Sequence, residues 1–222
     1  MFGVLVAEDQ QGNEVVLKAF AGKIRSYGWK LDGWVDPIVV PEEIPRFVEL
    51  RDEVSRVTFE MEKCFAAAAA STHNDDAIEM EQWKRLKSER SSMSREALEV
   101  LREELWVGNF RGETSSLSKI FLHDEDLGVR RTKNQMPAPG GGGGDKAKMR
   151  PRQMPVGVGE CCATKLVQAA SERNLKPTGI AEFFVGHSKN RRVDDGIFYD
   201  SCAERCQKVL GFMLCGLPPV LS

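Results

Sequence analysis

Several signatures are missing from this chain, and each absence removes a class of function. No apolar run approaches the roughly 20 residues that a membrane helix requires. The first residues lack the basic, apolar and small-residue pattern of a secretory signal. A formal net charge of −2 supplies no broad basic field for nucleic acid or membrane. There is no phosphate-binding glycine loop with its lysine, no nucleophile elbow and no dinucleotide fingerprint. Gly140–Gly144 is a glycine run, but it has no strand before it and no helix after it. Histidine is scarce too: His73, His123 and His187 are the three, and all fall in predicted loops.

Cysteine is better represented. Six cysteines occur in 222 residues, and three sit near helix starts, which reads as thiols in a reducing compartment rather than a disulfide scaffold. Cys161, beside Cys162, opens a predicted helix. Cys202 and Cys206 lie in a later one over 201–214. Their spacing of four places both on one helical face, and a disulfide between them would be strained there. A third thiol from a separate helix supplies most of a tetrahedral soft-metal site, and helix N-termini favour thiolates. His187 is the candidate fourth ligand. Free cysteine also packs as a small hydrophobe, and Cys162, Cys215 and Cys64 read that way.

Around these thiols the chain falls into blocks. Val4–Ala7 and Val15–Phe20 are β-rich runs about a polar turn, followed by an aromatic loop to residue 41. From 42 to 107 the pattern is helical: Phe47, Leu50, Val54, Val57, Met61, Cys64 and Ala68 form one seam. Trp83, Leu86, Met93, Ala97, Val100, Leu101 and Leu105 form a second. The polar stretch 71–75 between them predicts an antiparallel helical hairpin. Residues 108–122 connect this arm to a glycine-, proline- and lysine/arginine-rich insert over 123–156, expected to be disordered. Lys146, Lys148, Arg150 and Arg152 in the insert are candidate RNA-phosphate contacts, and a solvated linker is the plainer reading. Residues 157–217 predict helix (160–173), strand (179–186), a short extended piece (196–199) and helix. Glu182 stands out in an apolar strand: it faces Lys165 or a cation, or it is simply exposed.

The order of thiol-bearing helix, strand and paired-thiol helix resembles zinc-dependent nucleobase deaminases. Those enzymes place a glutamate two residues after the first ligand, where this chain has Ala163. Glu160 precedes the cysteine instead and is the candidate catalytic acid. The paired cysteines also have three residues between them rather than two, with no proline ahead of them.

A second likeness covers nearly the whole chain outside the insert. It is carried by Met1-Phe2-Gly3-Val4-Leu5-Val6, Leu17–Gly22, Gly33-Trp34-Val35-Asp36-Pro37, Asn109–Glu113, Gly159–Ala163 with Lys165-Leu166, Ala181–Gly186, and Phe198-Tyr199 with Cys202 and Cys206. In this order the blocks resemble the region ahead of the catalytic domain in some bacterial RluA-type RNA pseudouridine synthases. The resemblance implies an RNA-modification context. It does not imply isomerase activity, because the catalytic Arg-Leu-Asp motif is absent: Lys30-Leu31-Asp32 and Arg192-Val193-Asp194 do not match it. A strand starting at Phe2 adds the expectation that the chain is a fragment of something longer.

The sequence therefore predicts an α/β (α+β) fold, with a hairpin and a C-terminal strand–helix module in a deaminase-like sandwich, interrupted by the helical arm. Three functions follow from it. The leading one is a non-catalytic accessory module linked to RNA modification, with Zn²⁺ as candidate ion, no nucleotide cofactor, and RNA or an RNA-modifying enzyme as partner. The others are a deaminase-like hydrolase and a structural protein binding partners through its coiled-coil arm. The expected compartment is cytoplasm or organellar matrix, without a membrane.

Overall fold

The computed structural model of the chain describes residues 1–70, 76–126, 154–186, 193–203 and 205–218. Most of the predicted insert, the four basic residues within it, His73 and His187 lie outside them.

Two compact units emerge, one from Met1–Ile38 with Trp106–Ser222 and the other from Val39–Leu105. The first begins with strands β1 (Phe2–Glu8) and β2 (Glu14–Phe20), antiparallel with Phe2 opposite Phe20 and Glu8 opposite Glu14. Their turn is organised by Asp9, whose carboxylate accepts from the backbone of Gln11 and Asn13 at 2.9 and 2.8 Å. Alternation along β1 buries Gly3, Leu5 and Ala7 and leaves Phe2, Val4 and Val6 on the opposite face. Strand β5 (Lys176–Phe183) pairs with the other edge of β1, with a bulge beside Val6 and Ala7, and β6 (Phe198–Tyr199) pairs with β5. The sheet order is β2-β1-β5-β6, and every pairing is antiparallel. An α+β class follows, with the helices set on the sheet rather than crossing between parallel strands.

Helix α4 (Cys162–Glu172) is the centre of this unit. Eight of its eleven residues are buried, and the other three, Gln168, Ser171 and Glu172, share one face near its C-terminal end. It packs on β1, β2 and β5, and also contacts α5 (Cys206–Met213) and β3. Gly3 permits this approach: a Cβ there would stand 2.5 Å from Cys162 Cβ. Lys165, 2% exposed, sends its ammonium to the Phe20 carbonyl at 2.9 Å and over the Phe20 ring. Burial lowers its pKa, because the charged form is desolvated.

Residues 108–122, expected to be a plain connection, lie within more regular structure. Strands β3 (Trp106–Gly108) and β4 (Thr114–Ser116) form a second small sheet, and α3 (Leu117–Asp126) follows at once. Asn109 holds the hairpin turn, its Oδ1 accepting from Arg111 and Glu113 backbone N–H at 3.0 Å each. Leu117, Ile120 and Phe121 are buried. His123 belongs to α3 rather than to a loop. The predicted insert is corrected at its other end as well, since Met154 is a core residue, 3% exposed.

The second unit is the predicted helical hairpin: a 3-10 turn (Pro41–Glu43), α1 (Pro45–Ala70) and α2 (Asp76–Glu103). Leu50, Val57, Leu86 and Ala97 are buried along it. Arg46 bonds Glu96, and Arg90 bonds Thr58, which sets the helices antiparallel. These exposed pairs fix register and add little stability.

Candidate metal centre

Cys161 is the N-cap of α4, in extended conformation. It is held there by backbone: its carbonyl accepts from Thr164 Oγ1 at 2.8 Å and from the Lys165 N–H at 3.3 Å. The other two thiols arrive differently from expectation. Helix α5 begins at Cys206, so Cys202 is not on it. Cys202 sits on a turn, where its carbonyl accepts from the N–H groups of Arg205 and Gln207 at 3.4 and 3.2 Å. That turn folds Cys202 back over the start of α5. The Cys206 N–H then donates to Cys202 Sγ at 3.4 Å, and the two sulfurs are 3.4 Å apart.

The sulfurs of Cys161, Cys202 and Cys206 all lie within 4.8 Å of one another. Tetrahedral zinc with Zn–S bonds of about 2.3 Å needs sulfurs about 3.8 Å apart, so the spacing suits a shared ion. All three are free thiols. Among the described residues this is the group able to hold a metal, and Glu160 and Glu182 are not members of it.

The electrostatics assign different states to neighbouring thiols. Cys161 is lowered below an ordinary thiol, chiefly by the hydrogen bond from Cys206, with further help from Cys202 and the Arg205 guanidinium. Cys206 is raised, first by that same bond and then by burial. Cys161 therefore gives up its proton ahead of Cys206. Cys162, one residue along, is fully buried and pushed up to about 12 by desolvation and then by Glu182. It faces the sheet rather than the cluster, its Sγ 3.5 Å from the Met1 carbonyl oxygen. In metal-free, reduced protein, iodoacetamide is expected to label Cys161 at least about tenfold faster than Cys162 near neutral pH. The Cys161 rate should also plateau at lower pH than that of a free cysteine peptide. Peptide mapping by mass spectrometry reads both, and equal rates would contradict this assignment.

Glu182, 7% exposed, is neither an exposed strand residue nor the partner of Lys165. One oxygen accepts from the Ala163 N–H at 3.0 Å and the other from the Ser201 hydroxyl at 2.9 Å. A strand carboxylate therefore caps the first turn of α4, which Cys161 leaves without a side-chain cap, and ties in the segment leading to Cys202. The signal for this was an acidic residue in an apolar strand; its partners, a backbone N–H and a hydroxyl from two other segments, leave no trace in the sequence. Glu160 is placed elsewhere: its carboxylate lies beside Gly22, and its carbonyl accepts from the Gly22 N–H at 3.3 Å.

No protein-family model, curated protein or solved structure matches this chain.

Proposed function

We propose that the chain is a non-catalytic accessory module linked to RNA modification, and that Cys161, Cys202 and Cys206 hold a zinc ion that braces it. The convergence of three sulfurs from two separate segments within 4.8 Å carries the metal reading. Thiolate ligands fit zinc, and the Cys206 N–H on Cys202 Sγ is the kind of contact that orients a ligand. Support for the RNA-modification context is the likeness to the region preceding RluA-type catalytic domains. Its blocks fall on β1, β2, the loop after β2, the β3–β4 turn, the start of α4, β5, and β6 with the start of α5, and the thiols lie at the start of α4 and between β6 and α5. The module contributes no Arg-Leu-Asp aspartate, so any isomerase chemistry comes from residues outside it. The α1–α2 arm is the surface offered to a protein partner.

A deaminase-like hydrolase is the second reading, favoured by one observation. Glu182 delivers a carboxylate to the backbone of Ala163, the position at which those enzymes carry their glutamate. It ranks second because both Glu182 oxygens are already accepting hydrogen bonds. Turnover of cytosine or adenine substrates, lost in Cys202→Ala and in Glu182→Gln, would put it first.

The deciding measurement for the metal is elemental analysis of purified protein. Wild type is expected to carry about one equivalent of zinc and Cys161→Ala almost none. Equal, negligible metal in both would reduce the cluster to packed thiols.

A further inference from the structure

The sulfurs of the cluster are placed for oxidation as well as for a metal. A disulfide between Cys202 and Cys206 is strained when both sit inside one helix, and the structure removes that obstacle. Cys202 lies on the turn ahead of α5, and only Cys206 is helical. Their sulfurs are 3.4 Å apart, so they need to close by about 1.4 Å to form the bond. Neighbouring hydrogen bonds already hold the approach. The Ser201 hydroxyl donates to Glu182 at 2.9 Å, and the Gln207 side-chain amide donates to the Ser201 carbonyl at 2.8 Å. The Cys206 N–H in turn meets Cys202 Sγ at 3.4 Å.

Access differs among the three thiols. Cys202 is exposed, Cys161 is half-buried and Cys206 is buried. A small oxidant therefore meets Cys202 first, with Cys206 directly behind it. Cys161 is the poorer partner for that sulfur. It belongs to another segment, fixed at the N-cap of α4, and drawing it in would shift a helix that has eight of its eleven residues buried. Cys202 and Cys206 close within one short stretch of chain and move no other element. In reducing compartments bridges of this kind are transient and redox-sensing rather than structural.

We infer that Cys202 and Cys206 are a hydroperoxide-sensitive pair whose disulfide dismantles the metal centre. The Cys202 sulfur attacks one peroxide oxygen: an S–O bond forms, the O–O bond breaks, and an alcohol or water leaves. The Cys206 sulfur then attacks Cys202: the S–S bond forms, the S–O bond breaks, and hydroxide leaves. Two thiolates, one hydroperoxide and two protons from water thus yield a disulfide, an alcohol and water. The sulfurs give up two electrons and the peroxide takes them. Of the three ligands Cys161 alone remains, too few for zinc. A dithiol reductant reopens the bridge by exchange and is itself oxidised to a disulfide. Loss of the ion rests on the zinc reading above, whereas the bridge rests on the placement of the two sulfurs.

Hydrogen peroxide added stoichiometrically to the reduced full chain tests this, with the remaining thiols alkylated before peptide mapping. Trypsin cuts after Arg192, Arg205 and Lys208, so the bridge appears as peptide 193–205 joined to peptide 206–208. That linked pair should be the main product. Zinc should be released in step with it, about one equivalent per bridge, as read with a chromogenic chelator. Dithiothreitol should separate the two peptides again. Cys206→Ser should stop at a sulfenic acid on Cys202, trapped by dimedone on peptide 193–205. Cys161→Ala should still form the linked pair. A main bridge to Cys161, over-oxidation of Cys202 without a bridge, or zinc retained after bridging overturns the switch. Protein that carries no zinc yet forms the linked pair overturns the metal reading and keeps the redox pair. Zinc-loaded protein that forms no linked pair does the reverse.

Discussion

Chelation of the proposed zinc is expected to loosen α4, β5 and α5 while the helical hairpin is left as it was. The three sulfurs join the N-cap of α4, the turn at Cys202 and the first residue of α5. An ion bound only by the folded state stabilises by mass action, about 4 kcal/mol when free metal exceeds Kd a thousandfold. Amide hydrogen exchange resolves where that stabilisation resides. Amides of α4 and α5 should exchange up to about 1,000-fold faster after stripping, and those of α1 and α2 should not change. The contrast is the test, because a denaturing side effect of the chelator would accelerate both units. Unchanged protection in α4 and α5, with metal demonstrably removed, would mean the apolar packing of α4 suffices by itself.

The second large effect is expected at Gly3. A Cβ at this position would lie 2.5 Å from Cys162 Cβ and 3.1 Å from Leu166 Cδ1. Neither neighbour can give way easily, since both are fully buried on α4. Gly3→Val should therefore destabilise by about 3 kcal/mol, the upper range for overpacking, despite valine's better fit to a strand. In a domain of this size that lowers the thermal midpoint by about 8 °C. Gly179→Ala, in the same sheet with nothing within 4 Å of its Cβ, is the matched control and should be nearly neutral. Scanning calorimetry of the pair decides the matter, and a silent Gly3→Val would show that α4 can slide off β1. Because Cys162 adjoins Cys161, a displaced helix should also bind metal more weakly.

Local signals in the sequence carried much of this architecture. Alternation in β1 and β2, and the three-four spacing of Leu50 and Val57 on one helix and Leu86 and Ala97 on the other, are short-range patterns that tertiary contacts reinforced. The same logic misplaced Cys202. Four-residue spacing suggested one helical face, but α5 begins only at Cys206 and Cys202 lies on a turn ahead of it, and the thiols still meet. The right neighbours were read from the wrong geometry, since a tight turn and a helical turn bring residues i and i+4 equally close. Hairpin β3–β4 escaped because it is three residues per strand and held by Asn109 side-chain bonds, with no alternation long enough to read. The place of Glu182 depends on register between β1, β5 and β6, which no local pattern encodes.

That strand β1 sits between β2 and β5 has a consequence for synthesis on the ribosome. The edge of β1 that will receive residues 176–183 is translated about 170 residues ahead of its mate. At about 5–20 residues per second it waits on the order of 10 to 35 s with unsatisfied backbone groups and valines on display, while the intervening helical arm has ample time to form. Nascent chains paused in that interval are the species most prone to wrong pairing, and the ones for which a holding chaperone would matter most.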